Sequence, residues 1–127
     1  MAHIVIIEDD ALIRHMLISA LRVEGHEVSP AANGQEALPL LRGKSPDLVI
    51  TDLFMPECDG MEVISTLRQS HPQTPIIAIS GHSTKSGLFL KMAEHLGAET
   101  TLQKPFSVQE LYSTVRSVLE RPTRLTP

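Results

Sequence analysis

The chain has no tryptophan, one tyrosine, three phenylalanines and a single cysteine. Aromatics at 3% leave no material for base-stacking platforms or aromatic cages. The lone Cys58 cannot form an internal disulfide, so nothing demands an oxidising compartment, and a cytoplasmic location is the expectation. No apolar run approaches the roughly 20 residues needed to cross a bilayer. The amino terminus also lacks the basic start and apolar stretch of a secretory signal, so the chain reads as soluble and unprocessed, with no membrane insertion. Neither sign of charge is concentrated: 11 Lys and Arg face 15 Asp and Glu. The scattered basic residues argue against nucleic acid as a direct partner. The six histidines show no HxxxH or Cys/His spacing, which argues against a zinc site.

What is present suits one domain: 127 residues, 42% of them hydrophobic, can fill a single core and leave no room for a second. Short aliphatic runs at Ile4–Ile7, Asp47–Ile50, Pro75–Ile79 and Thr100–Gln103, with a fifth candidate around Val28, are unbroken rather than alternating. Such runs predict strands covered on both faces, as in a parallel sheet. Helical spacing lies between them. Ile13, Met16, Leu17, Ala20 and Leu21 form one apolar stripe closed by Gly25. Gln35–Leu41 predicts a helix made short or kinked by Pro39. Gly60–Gln69 carries Met61, Val63, Ile64 and Leu67. Leu88, Phe89, Met92 and Leu96 mark another helix, stopped by Gly97, and Ser107 to Glu110 has capping-box spacing ahead of Leu111, Val115, Val118 and Leu119. Strand then helix, five times over, specifies an α/β fold with right-handed crossovers. The expected domain is 1–120, with 121–127 a frayed tail or linker stub.

In an open parallel sheet the residues at the carboxyl ends of the strands gather along one edge, where ligands bind. Here those residues are Glu8 and Asp9, Asp52, Ser80 and Lys104. Three carboxylates brought together repel one another unless a cation compensates, and Mg²⁺, which prefers oxygen ligands and commonly bridges carboxylates to a phosphoryl group, resolves the conflict. A carboxylate beside Mg²⁺ and a lysine is a plausible phosphoryl acceptor. The bland readings are a turn aspartate for Asp52, helix-capping acids for Glu8 and Asp9, a turn serine for Ser80 and a surface lysine for Lys104. Their positions at successive strand ends outweigh these readings. Asp10 is assigned to capping the first helix.

The motifs "IVIIEDD", "VITDLFMPECDG", "AISG" and "LQKPF", in this order and spacing, closely resemble the receiver domain of two-component response regulators. That resemblance implies a flavodoxin-like (βα)5 doubly wound parallel sheet in the order 2-1-3-4-5, with Asp52 as the phosphorylated aspartate. It also implies Mg²⁺ held by Glu8, Asp9, Asp52 and the Phe54 backbone carbonyl, Ser80 and Lys104 as the hydroxyl and ammonium of the site, and a cis Lys104–Pro105 bond. The implied partners are a histidine kinase or histidine phosphotransfer protein as donor and a downstream protein target; a homodimer is a further partner that the sequence leaves open. On this reading the chain is a stand-alone switch rather than an enzyme, capable at most of Mg²⁺-dependent self-phosphorylation and slow dephosphorylation. The alternatives are a haloacid-dehalogenase-like hydrolase, which would carry D-x-D where this chain has E-D-D, and a degenerate receiver used only for protein contacts. One departure from the family pattern is Thr101, where an aromatic residue is usual. The Ser/Gly clusters between Ser80 and Gly97 predict a mobile loop that could carry the readout instead.

Overall fold

The computed structural model describes residues 2–43, 45–53, 60–81, 91, 93–95 and 97–121, apart from the side chains of 60 and 61. The five strands are β1 (His3–Ile7), β2 (Glu27–Ala31), β3 (Leu48–Asp52), β4 (Ile76–Ser80) and β5 (Thr100–Gln103). They form one sheet in the order β2-β1-β3-β4-β5, every pairing parallel. The helices α1 (Ala11–Val23), α2 (Gly34–Gly43) and α3 (Gly60–Ser70) and a C-terminal helix (Val108–Glu120) cover it, and residues 93–95 are helical between β4 and β5.

The unbroken apolar runs mark the central strands as expected. Every residue of β1, β3 and β4 is buried, whereas the edge strands β2 and β5 are only partly covered. An edge is also where Pro30, opposite Ile6, is tolerated, since its missing N–H need serve only one neighbour. Successive side chains point to opposite faces, so β1 feeds two cores. Val5 and Ile7 pack with Ala37, Leu41, Val63, Ile64 and Leu67 of α2 and α3. Ile4 and Ile6 pack with Leu17 and Leu21 of α1 and with Leu111, Val115 and Val118 of the C-terminal helix. This is the doubly wound arrangement.

Capping sets the helix boundaries. Asp10 Oδ1 accepts from the amides of Leu12 and Ile13 at 2.9 and 3.1 Å, and Gly25 closes the end of α1 at φ 90°. Ser107 and Glu110 form a reciprocal capping box. Helix α2 runs beyond the predicted Gln35–Leu41, to Gly34–Gly43 with Pro39 inside it. Pro39 and Gln35, the residue whose carbonyl proline leaves without its helical donor, are both exposed, and Asn33 Oδ1 secures the start by accepting from Glu36 N at 2.9 Å. Asp47, expected in β3, lies just before it. There its carboxylate accepts from His3 N and its amide donates to His3 O, both at 2.8 Å, tying the amino ends of two strands. Leu88, Phe89, Met92 and Leu96, which mark the predicted helix, the loop before them and the tail 122–127 lie outside the described residues, while the helical residues 93–95 fall within that prediction.

Candidate functional site

At the opposite edge of the sheet the strands deliver their polar residues. Glu8 follows β1, and its amide donates to Ala31 O at 3.0 Å, extending the pairing with β2 by one step. Asp52 and Ser80 are the last residues of β3 and β4 rather than the first beyond them. Asp52 stands opposite Ile79, and Leu53 N donates to Ile79 O at 2.9 Å. Lys104 follows β5, its amide donating to Ser80 O at 2.8 Å. Its bond to Pro105 is cis, as expected.

These backbone positions bring three of the predicted side chains into direct contact. Lys104 Nζ lies 2.8 Å from Glu8 Oε1, a charge contact out of line for a hydrogen bond. It also donates to Asp52 Oδ2 at 3.1 Å. Glu8 is 1% exposed and Asp52 4%. Burial pushes the Glu8 carboxyl up to about 7, reinforced by the hydrogen bond and charge of Asp52, while Lys104 and the Asp10 amide oppose the rise. For Lys104 burial alone would lower the pKa, but contact with Glu8 and the charges of both carboxylates outweigh it, and its pKa is raised. The ammonium is therefore firmly charged while the carboxylate pair beside it is under electrostatic strain.

Asp9 is exposed. Glu8, Asp9 and Asp52 each place a carboxylate oxygen within 4.8 Å of the others. Among the described residues no other group of His, Cys, Asp and Glu converges this way. A hard, all-oxygen donor set with one exposed and two buried members, one of them a carboxyl whose pKa burial raises, fits Mg²⁺. Ser80 is fully buried, and its hydroxyl donates to Gly81 O at 3.4 Å. Phe54, expected to offer a carbonyl, lies outside the described residues, as do His82 and Cys58.

One residue escaped the reading of the sequence. Arg14 Nη1 donates to Glu8 O at 2.8 Å and to Asp9 O at 3.4 Å. Its signal was available: a basic residue one turn into α1 points its side chain back toward the helix start, where the acidic loop sits.

A profile of the response regulator receiver domain matches residues 4–116. The chain belongs to the response regulator receiver domain family. Its role is in two-component signalling, and the haloacid-dehalogenase-like alternative is set aside. It is 40% identical over 118 residues to a protein named probable transcriptional regulator ycf27 from Porphyridium aerugineum, a match covering 93% of this chain and 48% of that protein. It is 34% identical over 120 residues to response regulator MprA from Mycolicibacterium vanbaalenii, covering 94% of this chain and 51% of the relative. The receiver therefore spans about half the length of the curated relatives it matches. The crystal structure of the receiver domain of NtrX from Brucella abortus superposes with a TM-score of 0.89 at 28% identity, covering 94% of this chain and 99% of that one. Receiver domains generally bind Mg²⁺, in accord with the acidic cluster. Among the described residues no helix is long and apolar enough to cross a membrane.

Proposed function

We propose that Asp52 accepts a phosphoryl group from a phosphohistidine on a sensor kinase or phosphotransfer protein, and that the resulting aspartyl phosphate changes the affinity of this receiver for a downstream protein. The observation that carries this reading is the Lys104 ammonium between Glu8 and Asp52, with Asp9 completing the carboxylate set. Glu8, Asp9 and Asp52 would hold Mg²⁺, with the Phe54 carbonyl as a further ligand, and the ion would neutralise phosphoryl oxygens as they enter an acidic crevice.

The remaining work falls to the chain itself. An Asp52 carboxylate oxygen attacks phosphorus, the P–N bond of the donor breaks, and its electron pair returns to the imidazole nitrogen, which takes up a proton. Lys104, already within reach of Asp52, pairs with the added negative charge. Its backbone bond to Ser80 O keeps it at the crevice. Ser80, at the end of the neighbouring strand, supplies a hydroxyl donor to a phosphoryl oxygen once it releases Gly81 O. Attack of water on the anhydride regenerates Asp52, and small phosphodonors can replace the protein donor in self-phosphorylation.

Propagation takes a form suited to Thr101, half-buried opposite Ala78 in β5, where an aromatic side chain would ordinarily follow the hydroxyl. The proposed compartment is the cytoplasm, where the kinase domains that supply the phosphoryl group act. The test is an amide NMR spectrum with Mg²⁺ and beryllofluoride. Shifts centred on Asp52, Ser80 and Lys104 are expected, and an unchanged spectrum from folded protein would overturn the switch.

A further inference from the structure

Asp9 is the member of the acidic set that the fold holds least directly. Its neighbours are tethered through their side chains: the Glu8 carboxylate is buried against Lys104 and accepts from Asp10 N at 3.1 Å, and Asp10 caps α1. The Asp9 carboxylate is exposed, so its direction depends on the path of its backbone. Two observations show what holds that path. The amide side of the loop is fixed by the Glu8 N–H to Ala31 O bond. The carbonyl side is fixed by Arg14, half-buried on the first turn of α1, whose Nη1 reaches both Glu8 O and Asp9 O.

We infer that Arg14 is a positioning residue for metal binding: its guanidinium clamps the carbonyls of Glu8 and Asp9 so that the Asp9 carboxylate stays turned toward Glu8 and Asp52. The inference rests on the reading that this trio holds Mg²⁺. It makes a prediction opposite in sign to a purely electrostatic role. A cation near a divalent-ion site repels the ion, so deleting its charge alone would tighten Mg²⁺ binding. Deleting a clamp that orients a ligand loosens it, commonly by 10-fold or more for groups one step behind the ligands. A role confined to folding would lower stability and leave the affinity of the folded protein unmoved.

The experiment titrates Mg²⁺ into the full chain while amide resonances of the β1–α1 loop are followed, in wild type, Arg14→Ala, Arg14→Gln and Arg14→Lys. Hydrogen exchange at Asp9 and Asp10 is measured alongside. Expected are about 10-fold weaker Mg²⁺ binding in the Ala and Gln variants, faster exchange at both amides, and partial recovery in Arg14→Lys, whose ammonium can still reach one carbonyl. The Gln and Lys variants keep a polar donor, so they decide the matter if Arg14→Ala fails to fold. Wild-type or tighter Mg²⁺ affinity in the folded variants would overturn the inference while the metal-site reading stood. A wild-type spectrum that does not respond saturably to Mg²⁺ would overturn that reading, and the inference with it.

Discussion

Lys104 Nζ lies 2.8 Å from Glu8 Oε1, across the sheet from the strand that carries Glu8. The same ammonium contacts Asp52 at 3.1 Å, so the ends of β1, β3 and β5 meet at a single positive charge. Burial is what chiefly raises the Glu8 carboxyl, and the hydrogen bond and charge of Asp52 add to the rise against the opposing pull of Lys104. A phosphoryl acceptor needs its carboxylate ionised and its surroundings ready for further negative charge. Lys104, within 3.1 Å of Asp52, places one positive charge where phosphoryl oxygens would enter, and further compensation is left to a metal.

Replacing Lys104 tests this directly. Lys104→Ala should keep the fold, because the three central strands and both cores are untouched. It should cost roughly 3–5 kcal/mol of metal-free stability at pH 8, the range for a buried ion pair that loses one partner. Phosphoryl labelling of Asp52, or its effect on remote amides, should fall sharply. Chemical denaturation with and without Mg²⁺ checks the first statement, since added metal should offset the loss. Labelling with a small phosphodonor checks the second, and wild-type behaviour in both assays would remove the assigned role.

The fold and most of this site were legible before any coordinates. Unbroken runs such as "IVII" and "LVI" can be buried only in a sheet covered on both faces, and a parallel sheet must collect its strand ends on one edge. Strand ends were less legible: Asp52 and Ser80 belong to their strands because backbone pairing continues to Ile79 and Gln103, which composition does not show. Helix α2 was underestimated because an interior proline weakens a helix locally, while the packing of Ala37 and Leu41 that holds this one in place is a tertiary fact. Arg14 was missed because its partners are backbone carbonyls, so its place one turn into α1 was the only sign of them.

The Glu8 carboxyl gives a pH signature with a definite sign. Its ordinary value of 4.5 rises to about 7 in the fold, so between those limits the folded protein holds a proton that the unfolded chain has lost. Metal-free stability from this group is fully present below about 4.5 and is lost as pH rises through about 7. Denaturation series at pH 5.5 and 8 should show wild type losing stability relative to Glu8→Gln, which cannot titrate there. Apparent Mg²⁺ affinity should move the other way and strengthen across the same interval, because the ion displaces the proton.

Asp52→Asn should abolish phosphoryl labelling, since an amide oxygen is a poor nucleophile and forms no acyl phosphate. The same change should lower the Glu8 pKa toward its ordinary range, because the hydrogen bond and charge of Asp52 are among the causes that raise it. Carbon-detected NMR titration of the Glu8 carboxyl reads the shift. A Glu8 pKa unchanged by the substitution would show that burial alone sets it.

Away from the site, Gly97 tests the turn that leads into β5 and so to Lys104. Its φ is 125°, and a Cβ there would sit 2.6 Å from Arg68 Cδ. Both the strained backbone and the crowding disfavour a side chain. Arg68 cannot easily withdraw, because its guanidinium donates to Pro72 O at 2.8 Å and to Thr74 O, bracing the turn between α3 and β4. Gly97→Ala should therefore destabilise by roughly 1–3 kcal/mol. Combining it with Arg68→Ala should cost less than the sum of the two single changes, since the double variant removes the clash along with the brace. Additive losses in a double-mutant denaturation cycle would mean that Arg68 does not confine Gly97. Mg²⁺ affinity should be unaltered in folded Gly97→Ala, because Lys104 is anchored beyond this turn by its own amide bond to Ser80 O.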